Sequence, residues 1–357
     1  SKNFAASAKD EKCAKTANRN VRNHETYGKD DFVLQKNTEN TSGKNFLQNR
    51  HAKMFVLIAC LMIACIAGWR IAWSELHTED SAAEPSTAQT TDSSAPAADP
   101  AKKTPPSGNY VVVSDDFSNL QITDAQTPVY DIYTLAERRE KGLPTEMPDL
   151  IPYTMPNVAY LTFDDGPDAK NTPAILDILK ERGIHATFYV IGSMAEAHPD
   201  VLKRIFAEGH AIGNHSYSHR YDILYPNKEN FLEEIVHTDE VIYNILGVRP
   251  LIVRAPGGAA SMFKPGYSAM LKENGYVNHD WNVSSEDATG NNVSVQKILG
   301  SISYTCANRP KDRGAIVLMH SKDGKETTVE ALPAIIDMLQ GAGFTFGVMT
   351  PRTAQPW

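Results

Sequence analysis

From Val158 to Val348 short apolar runs alternate with helical patterns, and this alternation narrows the fold more than any other feature of the chain. The runs are Val158–Phe163, Ala186–Ile191, the segment opening at Ala211-Ile212-Gly213, Leu251–Val253, Tyr276-Val277, Ala315–Leu318 and Phe344–Val348. They read as buried strands. The stretches between them carry helix punctuation. Thr172-Pro173 opens one helix that Gly183 ends, Pro199 opens another that stops at Gly209, and Asn230 to Leu246 is a long helix closed by Gly247. Strand–helix units in series predict an α/β fold with a parallel sheet. About seven of them predict a distorted, incomplete (β/α)7 barrel, with its chemistry at the C-terminal ends of the strands.

Five of these strands end in polar residues that a core does not need. The first ends in Thr162-Phe163-Asp164-Asp165-Gly166-Pro167. Two adjacent carboxylates after a buried strand are costly as bare charges, and a metal or a catalytic proton would account for both. An Asx-turn or a helix cap is the alternative for this block alone. The third ends in His215-Ser216-Tyr217-Ser218-His219. Two imidazoles separated by three residues can converge on one ion, and an ion of borderline softness takes imidazole and carboxylate together. With Asp165 they form a set that leaves positions open for water and substrate. The fourth ends in Arg254-Ala255-Pro256-Gly257-Gly258, an arginine able to orient a carboxylate beside an exposed backbone N–H. The fifth carries Asp280-Trp281 and continues to Glu286-Asp287. The sixth ends in Leu318-Met319-His320, and a histidine there suits a general acid or base.

These blocks, in this order, resemble the polysaccharide deacetylases of carbohydrate esterase family 4, the NodB-homology domain, over about Tyr153 to Thr350. The resemblance implies Asp164 as catalytic base, Asp165, His215 and His219 as metal ligands, and His320 as general acid. It also implies Arg254 bonded to the base, Asp287 paired with that arginine, Leu318 lining the acetyl-methyl pocket, the Gly257 N–H at the oxyanion, and Trp281 beside the substrate. The implied cofactor is a divalent cation, zinc by resemblance, with cobalt and nickel open to the same ligands. The implied reaction is hydrolysis of acetamido groups on an extracellular N-acetylated glycan, peptidoglycan N-acetylglucosamine above all. An O-acetyl esterase, a chitin-type deacetylase and a non-catalytic wall-binding module are the rivals. Two departures stand out. The family often has an aromatic residue where this chain has Gly257, and a Trp where it has Ala288. A glycosidase is disfavoured, because its two carboxyl groups flank a bond at about 5 Å or more, and Asp164 and Asp165 are neighbours.

The first half reads differently. Residues 1–53 are polar, basic and without apolar period, the pattern of a disordered cytoplasmic tail. Residues 54–73 hold the run Met54 to Trp69, then Arg70 and Trp73, and predict a single transmembrane anchor. Arg50 and Lys53 precede it and Glu75, Glu79 and Asp80 follow, which predicts a cytoplasmic N-terminus and an exported catalytic domain. A cleaved signal or a lipobox ending at Cys60 competes, against the long tail ahead of the run. Residues 74–108, rich in Ala, Ser, Thr and Pro, read as a flexible linker. Residues 109–152 contain a strand at Tyr110–Val113 and a short helix at Leu135–Lys141, without an assigned role, ahead of the catalytic domain at 153–350. A net charge of −8 with no basic stripe in the C-terminal half excludes nucleic acid as a partner, and nothing fixes the oligomeric state. Of the four cysteines only Cys306 falls in the catalytic region, so no structural disulfide is expected. His185, His198, His210 and His237 read as packing or surface residues, and His279, beside Asp280, could approach the cleft but is assigned no role.

Overall fold

The computed structural model describes residues 107–357. The chain first forms strands β1 (Val111–Val112) and β2 (Val129–Asp131), then a helix at Leu135–Glu140. The strand–helix series follows with β3 (Val158–Asp164), β4 (Thr187–Val190), β5 (Ala211–Asn214), β6 (Arg249–Pro250), β7 (Ile252–Val253), β8 (Val277–Asn278), β9 (Val283–Ser284), β10 (Ala315–His320) and β11 (Thr345–Gly347). The main sheet is parallel, in the order β8-β7-β5-β4-β3-β10-β9, with β11 beside the start of β3. It curls without closing, as expected of an incomplete barrel, but it has eight strands rather than seven. The extra one is β9, whose two residues give too short a run for periodicity to register.

β3 is central because every one of its residues is buried. Its upper half pairs with β4, its lower half with β11, and its other edge with β10. The helix after it, Asn171–Arg182, turns Ile175, Leu176 and Leu179 onto the sheet, all fully buried. Complete burial of such a side chain contributes about 1.5–3 kcal/mol. This helix starts one residue before the expected Thr172, and Pro173 occupies its first turn, where no N–H is required. Asp168 accepts from the Thr172 N–H (2.7 Å), while the Thr172 hydroxyl accepts from the Asp168 N–H (3.0 Å). Gly183 ends the helix at φ 64°, in the left-handed region.

Residues 109–152 supply two strands of a second, three-stranded sheet, β1-β2-β6, so the segment joins the strand–helix series at Arg249–Pro250. Tyr130 of β2 lies in the same core as β3, and its hydroxyl accepts from the Ile212 N–H (2.9 Å). The helix at 135–140 opens with a capping box between Thr134 and Glu137. The tail at 1–53, the anchor at 54–73 and most of the linker at 74–108 lie outside the described residues. Among the described residues no helix is long and apolar enough to cross a membrane. Cys306 is a free thiol.

Candidate metal centre

Parallel pairing sets the site's first row. β10 and β3 align Leu318 with Thr162 and His320 with Asp164. Side chains two residues apart share a sheet face, so Thr162, Asp164, Leu318 and His320 line one side of the strand ends. Asp164 is the last residue of β3, and Asp165 turns out of the strand at φ 71°. A left-handed backbone in a residue other than glycine is a strain that surrounding structure must hold. Ser216 (φ 69°) and His219 (φ 55°) share it, so the same loop geometry recurs on both sides of the centre.

The loop 215–219 is built to turn two imidazoles inward. Asn214 accepts from the Ser216 N–H (3.0 Å), and the Ser216 hydroxyl accepts from the His219 N–H (3.1 Å). One carboxylate oxygen of Glu234, on the helix Lys228–Leu246, accepts from the N–H groups of Tyr217 (3.1 Å) and Ser218 (2.7 Å). The result places His215 Nε2 at 3.4 Å and His219 Nε2 at 3.3 Å from the same Asp165 Oδ1. His215 Nε2 also lies 3.8 Å from Asp164. The His215 Nδ1–H donates to the Arg254 carbonyl (2.7 Å), which fixes the tautomer and leaves Nε2 as a lone pair.

That buried Asp165 Oδ1 receives no hydrogen bond from any protein group. A buried carboxylate oxygen facing two imidazole nitrogens needs a proton or a cation between them. Burial, together with neighbouring His215, pushes the His219 imidazole below its usual range, which favours the neutral, ligating form. Burial opposes ionisation of Asp165, but the neighbouring His215, with His320 and His219, holds it well below the usual carboxylate range. The three ligating atoms lie within 4.8 Å of one another. One carboxylate and two neutral imidazoles fit a divalent ion that keeps open positions. The second Asp165 oxygen meets Lys322 Nζ at 2.7 Å, a partner the sequence reading missed.

Arg254 is completely buried and its fork is full. Nη1 donates to Asp164 Oδ1 (2.9 Å) and to the Thr162 hydroxyl (2.6 Å), and Nε donates to the His279 carbonyl (3.0 Å). Its guanidinium lies 4.2 Å over the Tyr189 ring, and Gly213 leaves room for that ring, since a Cβ there would meet it at 2.4 Å. The expected pairing of Arg254 with Asp287 is absent and is corrected here. Asp287 accepts from His320 Nδ1 (2.7 Å), the His320 N–H (2.9 Å) and the Thr328 hydroxyl (2.9 Å). The reason is placement: Asp287 follows β9, which pairs with β10 directly beside His320, whereas Arg254 follows β7 on the far side of β3. Burial alone would lower the His320 pKa, yet Asp287 reverses it and raises it. Burial raises Asp287, and His320 overcomes that and lowers it, so both partners favour the ion pair.

The remaining predicted residues lie on β10 and on the segments after β7 and β8. Leu318 is buried one alternation below His320. Gly257 is exposed, at φ 80°. The Trp281 ring packs against Gly258 and, with Gly257 and Ser284, lines a cavity of about 290 Å³. Asp280 positions that turn by accepting from the N–H groups of Ala259 and Ala260 (both 2.9 Å). His279 stays out of the cleft: its ring is buried, Nε2 donates to the Thr353 carbonyl (3.0 Å), and burial holds it down at about 4. Thr162 was missed as an Arg254 partner. Its signal was a hydroxyl in an apolar run two residues before Asp164.

The sequence profile described as polysaccharide deacetylase matches residues 153–278, which include Asp164, Asp165, His215, His219, Arg254 and Gly257. A peptidoglycan-N-acetylglucosamine deacetylase of Bacillus cereus is 36% identical over 192 residues, 53% of this chain and 68% of that protein. The peptidoglycan-N-acetylmuramic acid deacetylase PdaA of Bacillus subtilis is 33% identical, over 61% of this chain and 73% of its own length. The structure of a Streptococcus mutans CE4 esterase superposes with a TM-score of 0.52 at 30% identity, covering 60% of this chain and 95% of that one. The profile match, the shared fold and the shared sequence lead to one assignment: the chain belongs to the polysaccharide deacetylase family, the hydrolases of carbohydrate esterase family 4.

Proposed function

We propose that this chain removes acetyl groups from N-acetylglucosamine of peptidoglycan, outside the cytoplasm, with a zinc ion held by Asp165, His215 and His219. The observation that carries the reading is the orphaned Asp165 oxygen between two imidazole nitrogens, with Asp164 and His320 in one strand row beside it. When bound, the ion supplies Lewis acidity toward water and the acetyl carbonyl. Asp164 takes the proton of the attacking water, held in place by Arg254 on its other oxygen. The Gly257 N–H donates to the carbonyl oxygen as charge grows on it; such a donor contributes about 10²–10³ in rate. His320, kept protonated by Asp287, gives its proton to the sugar nitrogen as the C–N bond breaks. Water is consumed, and acetate and an amino sugar leave.

Peptidoglycan as substrate is supported by the relatives' names and by the anchor predicted at 54–73, which rests on the sequence alone. The two relatives above are named for different sugars, N-acetylglucosamine and N-acetylmuramic acid. The test is therefore a panel: the zinc-loaded protein is given muropeptides, chitooligosaccharides and acetylated xylan, and the products are read by mass spectrometry. Loss of acetyl from the glucosamine ring of muropeptides is expected. Release from acetylated xylan alone would make it an O-esterase, and no release from any member would end the reading.

A further inference from the structure

Gly257 carries no side chain, and an aromatic from another element fills the space beside it. Tyr221 opens the short helix Tyr221–Leu224 directly after the ligand loop. A Cβ built on Gly257 would lie 2.9 Å from the Tyr221 hydroxyl and 3.0 Å from its ring. On its other flank the Tyr221 ring meets His219 edge-on, with centroids 5.7 Å apart at 80°. Tyr225, 5.8 Å away, backs the ring, and its own hydroxyl donates to the Pro256 carbonyl (2.6 Å). Tyr221 is thereby clamped between a metal ligand and the 255–257 turn, yet it is 45% exposed. A clamped aromatic that still faces solvent is placed to meet a ligand.

We propose that the Tyr221 hydroxyl is a second donor to the acetyl carbonyl oxygen of the bound sugar, working beside the Gly257 N–H. The inference rests on the deacetylase reading above. A tyrosine hydroxyl carries one O–H donor. The left-handed φ of 80° already favours glycine at 257, and the Tyr221 contact adds a steric reason, because any larger residue would displace the hydroxyl. Tyr221 thus occupies the space that a side chain at 257 would take.

The test is Tyr221→Phe in the zinc-loaded protein, which keeps the ring against His219 and Tyr225 and deletes only the oxygen. The expected result is a fall of about 10- to 100-fold in kcat with KM nearly unchanged, less than for a fully buried donor because the tyrosine is half open to water. Zinc affinity measured by calorimetry should match the wild type. A kcat within twofold of wild type overturns the proposal. So does a rise in KM alone, which would place the hydroxyl on the sugar and not on the reacting carbonyl. A fall in kcat matched by a fall in zinc affinity also overturns it, since the tyrosine would then act through His219. Should the wild-type protein release no acetate from any substrate, the deacetylase reading fails first, so the two failures are distinguishable.

Discussion

Two groups of buried charge meet at Asn214, the last residue of β5, and they are completed in different ways. The first joins the N-terminal segment to the barrel. Asp131 accepts from the Arg138 Nε–H, from Arg249 Nη2 (3.0 Å) and from the Tyr133 N–H (3.0 Å). Asp239 accepts from Asn214 (2.7 Å) and from the Tyr276 hydroxyl (2.7 Å). Every carboxylate oxygen there has a protein donor, and only Arg249 Nε is left over. The second group is the metal centre, where Asp164 holds one buried arginine, one Asp165 oxygen meets Lys322, and the other Asp165 oxygen has no donor at all. A closed network of this kind holds a fold together, whereas one left open on a concave set of lone pairs is waiting for a ligand. Asn214 joins the two, since it donates to Asp239 and accepts from the Ser216 N–H in the ligand loop.

The comparison breaks most sharply at Asp165. Asp165→Asn, or chelation of the wild-type protein, should cost about 10³-fold or more in acetate release, the several kcal/mol a Lewis acid contributes. Without metal, the same substitution removes a charge that has no complete set of partners. The melting temperature of the metal-free variant should therefore stay within about 2 °C of the metal-free wild type. A large loss of metal-free stability would show that the second group is structural like the first.

Asp131→Ala is the mirror experiment. It leaves two guanidinium groups buried without their carboxylate, and breaking such a pair costs about 3–5 kcal/mol. Thermal unfolding should move down by many degrees, while zinc affinity measured below the transition stays within about twofold. Unchanged melting would mean that the N-terminal segment is only draped on the barrel.

The open group was far more legible in the sequence than the closed one. Asp164, Asp165, His215, His219 and His320 each follow an apolar strand run, and a polar residue at that place has no packing reason. Asp131, Arg138, Arg249 and Asp239 carry no such mark. They stand alone in unrelated segments, and only the pairing of β2 with β6 brings Asp131 next to Arg249. Which acid serves which base was equally hidden. Asp287 follows a strand of two residues whose neighbour in the sheet cannot be read from spacing, so its pairing with His320 instead of Arg254 emerged only from the topology. Lys322 and Tyr221 were passed over because both read as ordinary surface residues after a motif.

That corrected pairing sharpens the contrast within the site itself. Asp287→Asn should lower kcat about 10- to 100-fold by weakening the proton donor His320. Asp287 raises the His320 pKa, so protonated His320 persists to higher pH in the wild type. The variant's basic limb of the rate profile should move to lower pH. An unmoved limb with a full loss of kcat would show that Asp287 acts on something other than the imidazole proton.

The smallest effect concerns the closed group and has the opposite sign from most carboxylates. Burial pushes Asp239 up to about 7, against the lowering by Arg249, Tyr276 and Asn214. Its folded value exceeds the ordinary 3.8, so between about pH 4 and 7 the folded chain binds more protons than the unfolded one. Its contribution to stability is therefore full below pH 4 and is lost as pH rises through 7. Asp239→Asn keeps an acceptor for Asn214 and removes the titration. Subtracting its stability curve from that of the wild type should reveal a downward slope across this window, checked by urea unfolding at several pH values. A difference that is flat, or that rises with pH, would mean that Arg249 keeps Asp239 ionised throughout, and that the closed group balances its charges as two full ion pairs.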